Sequence, residues 1–182
     1  MKYIFLTFLI FNSFAYADVK TSLYHLYQNK QYDKACKEGL NLFQQNRNDE
    51  EFISLYAFSC LEADHISRLA IPISILRNSE EARSNAAYFS VILMQQKLLY
   101  HALVDGYKLS EFKLPTTNHV LSIVFDLYVK VSHERKLNHY LFKDPVNDKI
   151  SYKLYVKNSD QTKNMIIEEY YDTIMTHRHI YW

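Results

Sequence analysis

The feature that most constrains this chain is a helical apolar period that stops and restarts at short intervals between about Thr21 and Gly106. Leu23, Leu26 and Tyr27 lie at i, i+3 and i+4, one face of a helix. After a polar break at residues 28–31, Tyr32, Ala35, Cys36, Gly39, Leu42 and Phe43 take up the helical spacing again. A connection this short forces the two helices to lie antiparallel. The pattern recurs over 51–63, with Phe52, Leu55, Tyr56, Phe58 and Leu61, and a break at Asp64-His65 leads into 66–77. A third pair is expected over 80–96 and from 98 to about 106. Pro72 predicts a kink or a later helix start in its segment.

Small residues mark corresponding places in the second helices, Ala35, Ala70 and Ala102, at a period near the roughly 34 residues of a tetratricopeptide repeat. The aromatic–x–x–Ala core Tyr32-Asp33-Lys34-Ala35 resembles the opening of that family's second helix. The resemblance covers about residues 19–106 and fades along the chain: the family's first-helix glycine is replaced around Leu23, and no unit ends in its proline. It implies an α-solenoid of stacked antiparallel hairpins whose first helices line a concave, partner-binding groove. Tyr24, Gln28, Tyr56 and Ser59 are then the candidate partner-binding residues, Tyr24 and Tyr56 serving equally well as core. An irregular helical bundle is the competing architecture.

Beyond a break at Leu114-Pro115, a helix is predicted over 120–131 and a shorter helical piece over about 133–141. The period then changes. Ile150, Tyr152, Leu154 and Val156 alternate with polar or aromatic neighbours, as in a strand, and 165–171 and 174–182 offer two more. The alternative makes 164–177 a helix with Ile166, Tyr170 and Ile174 on one face. The expected fold is therefore mainly α, with a small C-terminal β-hairpin or three-strand extension: 1–17 a leader, 18–142 the helical-repeat domain and 143–182 the extension.

Residues 1–17 read as a secretory signal, with Lys2 at its start, an apolar run from Tyr3 to Phe14, and Ala15-Tyr16-Ala17 before the cleavage point. The alternative is a buried helix or an anchor, for which the run is short. Export to a periplasm or out of the cell makes Cys36 and Cys60 candidates for a disulfide. The hairpin arrangement places them on neighbouring helices, where a bridge would close a loop of about 25 residues and stabilise by roughly 3 kcal/mol. Two buried thiols are the other reading.

Composition narrows function further. The 21 basic and 20 acidic side chains balance, and no basic surface is implied of the kind nucleic acid or anionic lipid requires. Two glycines in 182 residues argue against phosphate-cradling loops and nucleophile elbows. The 16 tyrosines suit a core or a recognition surface. His177 and His179 would project from one face of a strand, a pair able to chelate a transition metal given a third ligand such as His133, His139 or Glu169. Glu168 and Glu169 would face opposite ways. No catalytic motif is present. The expectation is an exported interaction or scaffold protein acting on an envelope protein or peptide without catalysis, cofactor or stable membrane insertion. An exported enzyme acting on an envelope polymer, or a metal-binding protein using the terminal histidines, are the alternatives.

Overall fold

The computed structural model describes residues 19–109, 112–130, 139–158 and 162–182; the expected leader, 1–17, lies outside the described residues. The chain divides into two compact units, the first ending at Ala86 and the second running from Ala87 to Trp182.

The first unit is helical. Helix α1 (19–28) ends in a turn where Lys30 takes a left-handed φ of 56° and the Gln31 N–H donates back to the Leu26 carbonyl. That is a Schellman-type stop made without glycine. Helix α2 (Tyr32–Leu42) follows, and Tyr27 and Tyr32 pack across the turn with ring centroids 5.2 Å apart. Helix α3 (Glu50–Glu62) starts at Asp49, whose carboxylate accepts from the Glu51 and Phe52 N–H groups. It stops like α1, with Asp64 at φ 61° and the His65 N–H on the Cys60 carbonyl. A short 3-10 turn (Ile66–Leu69) then leads into α4 (Ala70–Ile75). Pro72 sits in the first turn of α4, where its missing N–H costs no helical bond, so it acts as a later start.

Helices α2 and α3 are joined by the Cys36–Cys60 disulfide, with the two Cα atoms 4.7 Å apart. So close an approach requires small side chains, and Ala35 and Gly39 supply them. A Cβ on Gly39 would stand 2.6 Å from Cδ2 of Tyr56, whose ring is edge-packed on Phe43.

Helix α5 (Glu80–Asp105) overturns the third predicted hairpin. The interruption expected between Gln96 and Leu98 is absent: Gln95-Gln96-Lys97 continue the helix, because Gln and Lys are good helix formers and no Gly or Pro interrupts them. The helix stops at Gly106, which takes φ +75° and donates its N–H to the Ala102 carbonyl.

The second unit holds the rest of α5, helix α6 (Val120–Lys130) and a four-stranded antiparallel sheet in the order β1 (His139–Lys143), β2 (Ile150–Asn158), β3 (Lys163–Tyr171), β4 (Ile174–Tyr181). The fold is thus mixed α and β, which corrects the expectation of a mainly α solenoid with a small extension. Strand β1 occupies residues expected to end a helix. Its Tyr140 and Phe142 point to the same side as Tyr152 and Leu154 of β2, and that alternation decides for a strand over so short a span. The strand reading of 164–177 prevails over the helical one. On one face Phe142, Tyr152, Leu154, Met165, Ile167 and Tyr181 are buried; Tyr140 packs on Tyr128 of α6, and the Gln96 amide donates to the Trp182 carbonyl. Among the described residues no helix is long and apolar enough to cross a membrane.

Two stability measurements follow from the α2–α3 contact. Gly39→Ala should destabilise the protein by roughly 1–2 kcal/mol: the 2.6 Å approach to Tyr56 puts the overpacking in the upper part of its usual range, about 2–3 kcal/mol, less about 1 kcal/mol of helix propensity. Thermal unfolding showing a neutral or stabilised variant would refute the close-approach account. Reducing the disulfide, or replacing both cysteines by alanine, should cost about 3 kcal/mol for the loop it closes.

Candidate functional site

The first unit carries a groove of 310 Å³ between α1, α3 and the first turn of α5. Helix α3 is apolar nearly all the way round, and this explains how a groove forms on it. Phe52, Ile53, Tyr56, Ala57 and Cys60 are buried, while Leu55 and Phe58, on other positions of the same helix, stay half-buried and line the groove. Tyr24 of α1, 48% exposed, and Ala82 of α5 complete its apolar wall. Ser54 and Asn85 bond across the floor, amide to hydroxyl, at 3.1 Å.

Its charged rim is organised by fixed bonds. Lys20 Nζ lies 2.8 Å from both Asp49 Oδ2 and Glu51 Oε2. Burial works against the ammonium, but the bonds to Asp49 and Glu51 outweigh it and hold the Lys20 pKa above its usual value. Glu50 accepts the backbone N–H groups of Asn78, Arg77 and Ser79 at 2.8, 2.8 and 3.0 Å. Those bonds, led by Asn78, lower its pKa to about 2 and fasten the segment before α5 to the start of α3. Ser79 then caps α5 by accepting from the Ala82 N–H. With Glu81 also on the lining, three carboxylates stand against one ammonium.

Of the residues expected to line a groove, Tyr24 does so and Gln28 is exposed on α1. Tyr56 and Ser59 do not: both are buried, Tyr56 over Gly39, and Ser59 with its hydroxyl on the Leu55 carbonyl at 2.7 Å. Sequence reasoning missed Leu55, Phe58, Glu50 and Glu81. The signal was present in α3, where an apolar surplus beyond one stripe requires a second covered face.

The second unit holds a different polar constellation on the less buried sheet face. Glu168, 3% exposed, accepts from the Tyr155 and Tyr170 hydroxyls at 2.9 and 2.7 Å and from Arg178 Nε at 2.9 Å. Burial pushes its carboxyl up, but these bonds prevail and its pKa is lowered. Its neighbour Glu169 faces the other way, with Oε1 2.8 Å from His179 Nε2. His177 and His179 share a face of β4, with ring centroids 4.3 Å apart. Of the other ligands considered for that pair, His133 lies outside the described residues, and His139 sits on β1, at the opposite edge of the sheet. Cys36 and Cys60 are bonded to each other, as described.

No protein-family model, curated protein or solved structure matches this chain.

The Glu50 geometry has a pH consequence. Its folded-state pKa of about 2 lies below the ordinary 4.5, so the stability it contributes is present above pH 4.5 and is lost as pH falls towards 2. Glu50→Gln should therefore melt below the wild type at neutral pH, with the two melting temperatures converging between about pH 4.5 and pH 2. A constant gap across that window would refute the assignment.

Proposed function

We propose that this is an exported binding protein, acting without catalysis, that holds a segment of a cell-envelope partner in the α1/α3/α5 groove. The observation that carries the reading is the groove's composition: an apolar wall of Tyr24, Leu55, Phe58 and Ala82 beneath a rim with three carboxylates and one ammonium. Its volume, 310 Å³, is at the small end of ligand pockets and suits one or two side chains rather than a whole small-molecule substrate. The complementary ligand is a peptide segment presenting an apolar anchor beside a lysine or arginine. One buried anchor contributes roughly 1.5–3 kcal/mol, and the basic neighbour sets orientation against the acidic rim.

The proposed resemblance of the hairpin region to tetratricopeptide-type modules rests on spacing alone. The left-handed stops at Lys30 and Asp64 fall one repeat of about 34 residues apart, each following a first helix. Export is supported by the bonded cysteines together with the signal-like character of residues 1–17.

The experiment is affinity capture from the native envelope fraction with the mature wild-type protein, Tyr24→Ala and Glu81→Lys. Tyr24 and Glu81 are exposed, so both variants should keep the wild-type circular dichroism. A partner recovered near stoichiometry with the wild type, and at least about fivefold less with each variant, is the expected result. Equal recovery with all three would remove the groove as the site. A wild type that repeatedly elutes alone would overturn the binding reading and direct effort to substrates of the envelope.

A further inference from the structure

We propose that Glu169, His177 and His179 form a binding site for a divalent transition-metal ion, independent of the groove. Strand alternation places the two histidines on one face of β4, and the ligand nitrogens they offer lie within 4.8 Å of each other. Glu169 stands directly opposite His177 in the β3–β4 register, so the carboxylate enters the same face from the neighbouring strand. Its Oε1 is 2.8 Å from His179 Nε2.

The Glu169–His179 separation is close to that of two ligands on one ion. Metal–nitrogen and metal–oxygen bonds of about 2.0–2.2 Å place two ligands of one ion roughly 3–3.5 Å apart. The Glu169–His179 pair needs to open by only a few tenths of an ångström. His177 is exposed on the edge strand, its ring centroid 4.3 Å from that of His179. The scaffold is firm up to the site: β3 and β4 pair without interruption from Met165↔Tyr181 to Glu169↔His177. The register shifts only beyond Glu169, an irregularity of the kind that re-aims side chains beside functional sites.

The donor set selects the ion. Two imidazoles and one carboxylate favour Zn²⁺ or Cu²⁺ over Ca²⁺ and Mg²⁺, which require oxygen ligands. Of the three protein ligands His177 is exposed, which leaves a coordination position for water or an external ligand, as in open zinc sites.

The sequence supplies a reporter. Trp182, the single tryptophan of the chain, follows His179 on the same strand end, and Cu²⁺ bound at the histidines should quench its fluorescence. The test titrates tag-free, disulfide-intact full chain with Cu²⁺, and with Zn²⁺ by calorimetry. Wild type should saturate at one ion per chain. His177→Ala and Glu169→Gln should each bind at least about tenfold more weakly. His101→Ala, on α5, should bind like the wild type. Non-saturable binding by the wild type, or undiminished affinity in His177→Ala, would overturn the site. Undiminished affinity in Glu169→Gln would overturn the three-ligand assignment. His177→Gln gives the same reading with a polar replacement, should the alanine variant lose the native circular dichroism.

Discussion

The 4.7 Å approach of Cys36 and Cys60 fixes most of what the first unit can be. Helices joined at that distance tolerate only small side chains between them, hence Ala35 and Gly39 on α2. The gap beyond Gly39 is filled by Tyr56, and Phe43 closes over that ring. Once Tyr56 and Cys60 face α2, the rotation of α3 about its axis is set. Leu55 and Phe58 are thereby carried round to another side, where Tyr24 and Ala82 meet them as the groove. The disulfide thus orients the candidate site without touching it. It also adds order that a small helical unit lacks when each hairpin buries only part of its apolar surface.

The sheet is governed by a second constraint, the adjacent acids Glu168 and Glu169. Neighbouring residues of a strand face opposite sides, and each acid finds a separate set of partners there. Glu168 meets the hydroxyls of Tyr155 and Tyr170 and the guanidinium of Arg178; Glu169 meets His179. A slip of one residue in β3 would exchange the two faces, stripping a buried carboxylate of its donors and moving Ile167 and Met165 out of the core. Removing the partners of a buried charge is among the costlier errors available to a fold, so this pair pins the register more firmly than the apolar pattern alone.

How far the sequence discloses this structure depends on how local each signal is. The first two hairpins, the late start at Pro72 and the strands from residue 150 were legible because period, proline and alternation act within one element. The continuous α5 was not, since a polar run inside a helix and a polar turn look alike unless glycine or proline separates them. Strand β1 was obscured by its length: five residues offer two alternations, and only pairing with β2 gives them meaning. The candidate site divides the same way. Tyr24 was legible on an outer helix face. Tyr56 and Ser59 went to the core because the disulfide, a contact between distant residues, sets which side of α3 is covered. Glu50 was invisible because its partners are backbone N–H groups 27 to 29 residues away, which carry no residue-type signal.

The electrostatics of the groove favour holding over reacting. A general acid or base must exchange its proton near the working pH, which calls for a carboxyl raised or an ammonium lowered towards neutrality. Two of the groove's charges, Glu50 and Lys20, move the opposite way. Glu50 is drawn down to about 2 by three N–H donors, and Lys20 is held above its usual range by Asp49 and Glu51. Each stays ionised across the physiological range and is engaged in tying α1 to α3 or the α5 start to α3. Charges held in place over an apolar wall discriminate ligands by shape and charge, which suits the proposed binding role. The same bonds that would make poor catalysts of these groups make the groove preorganised, so the proposed partner segment would meet walls already in place and lose less affinity to ordering them.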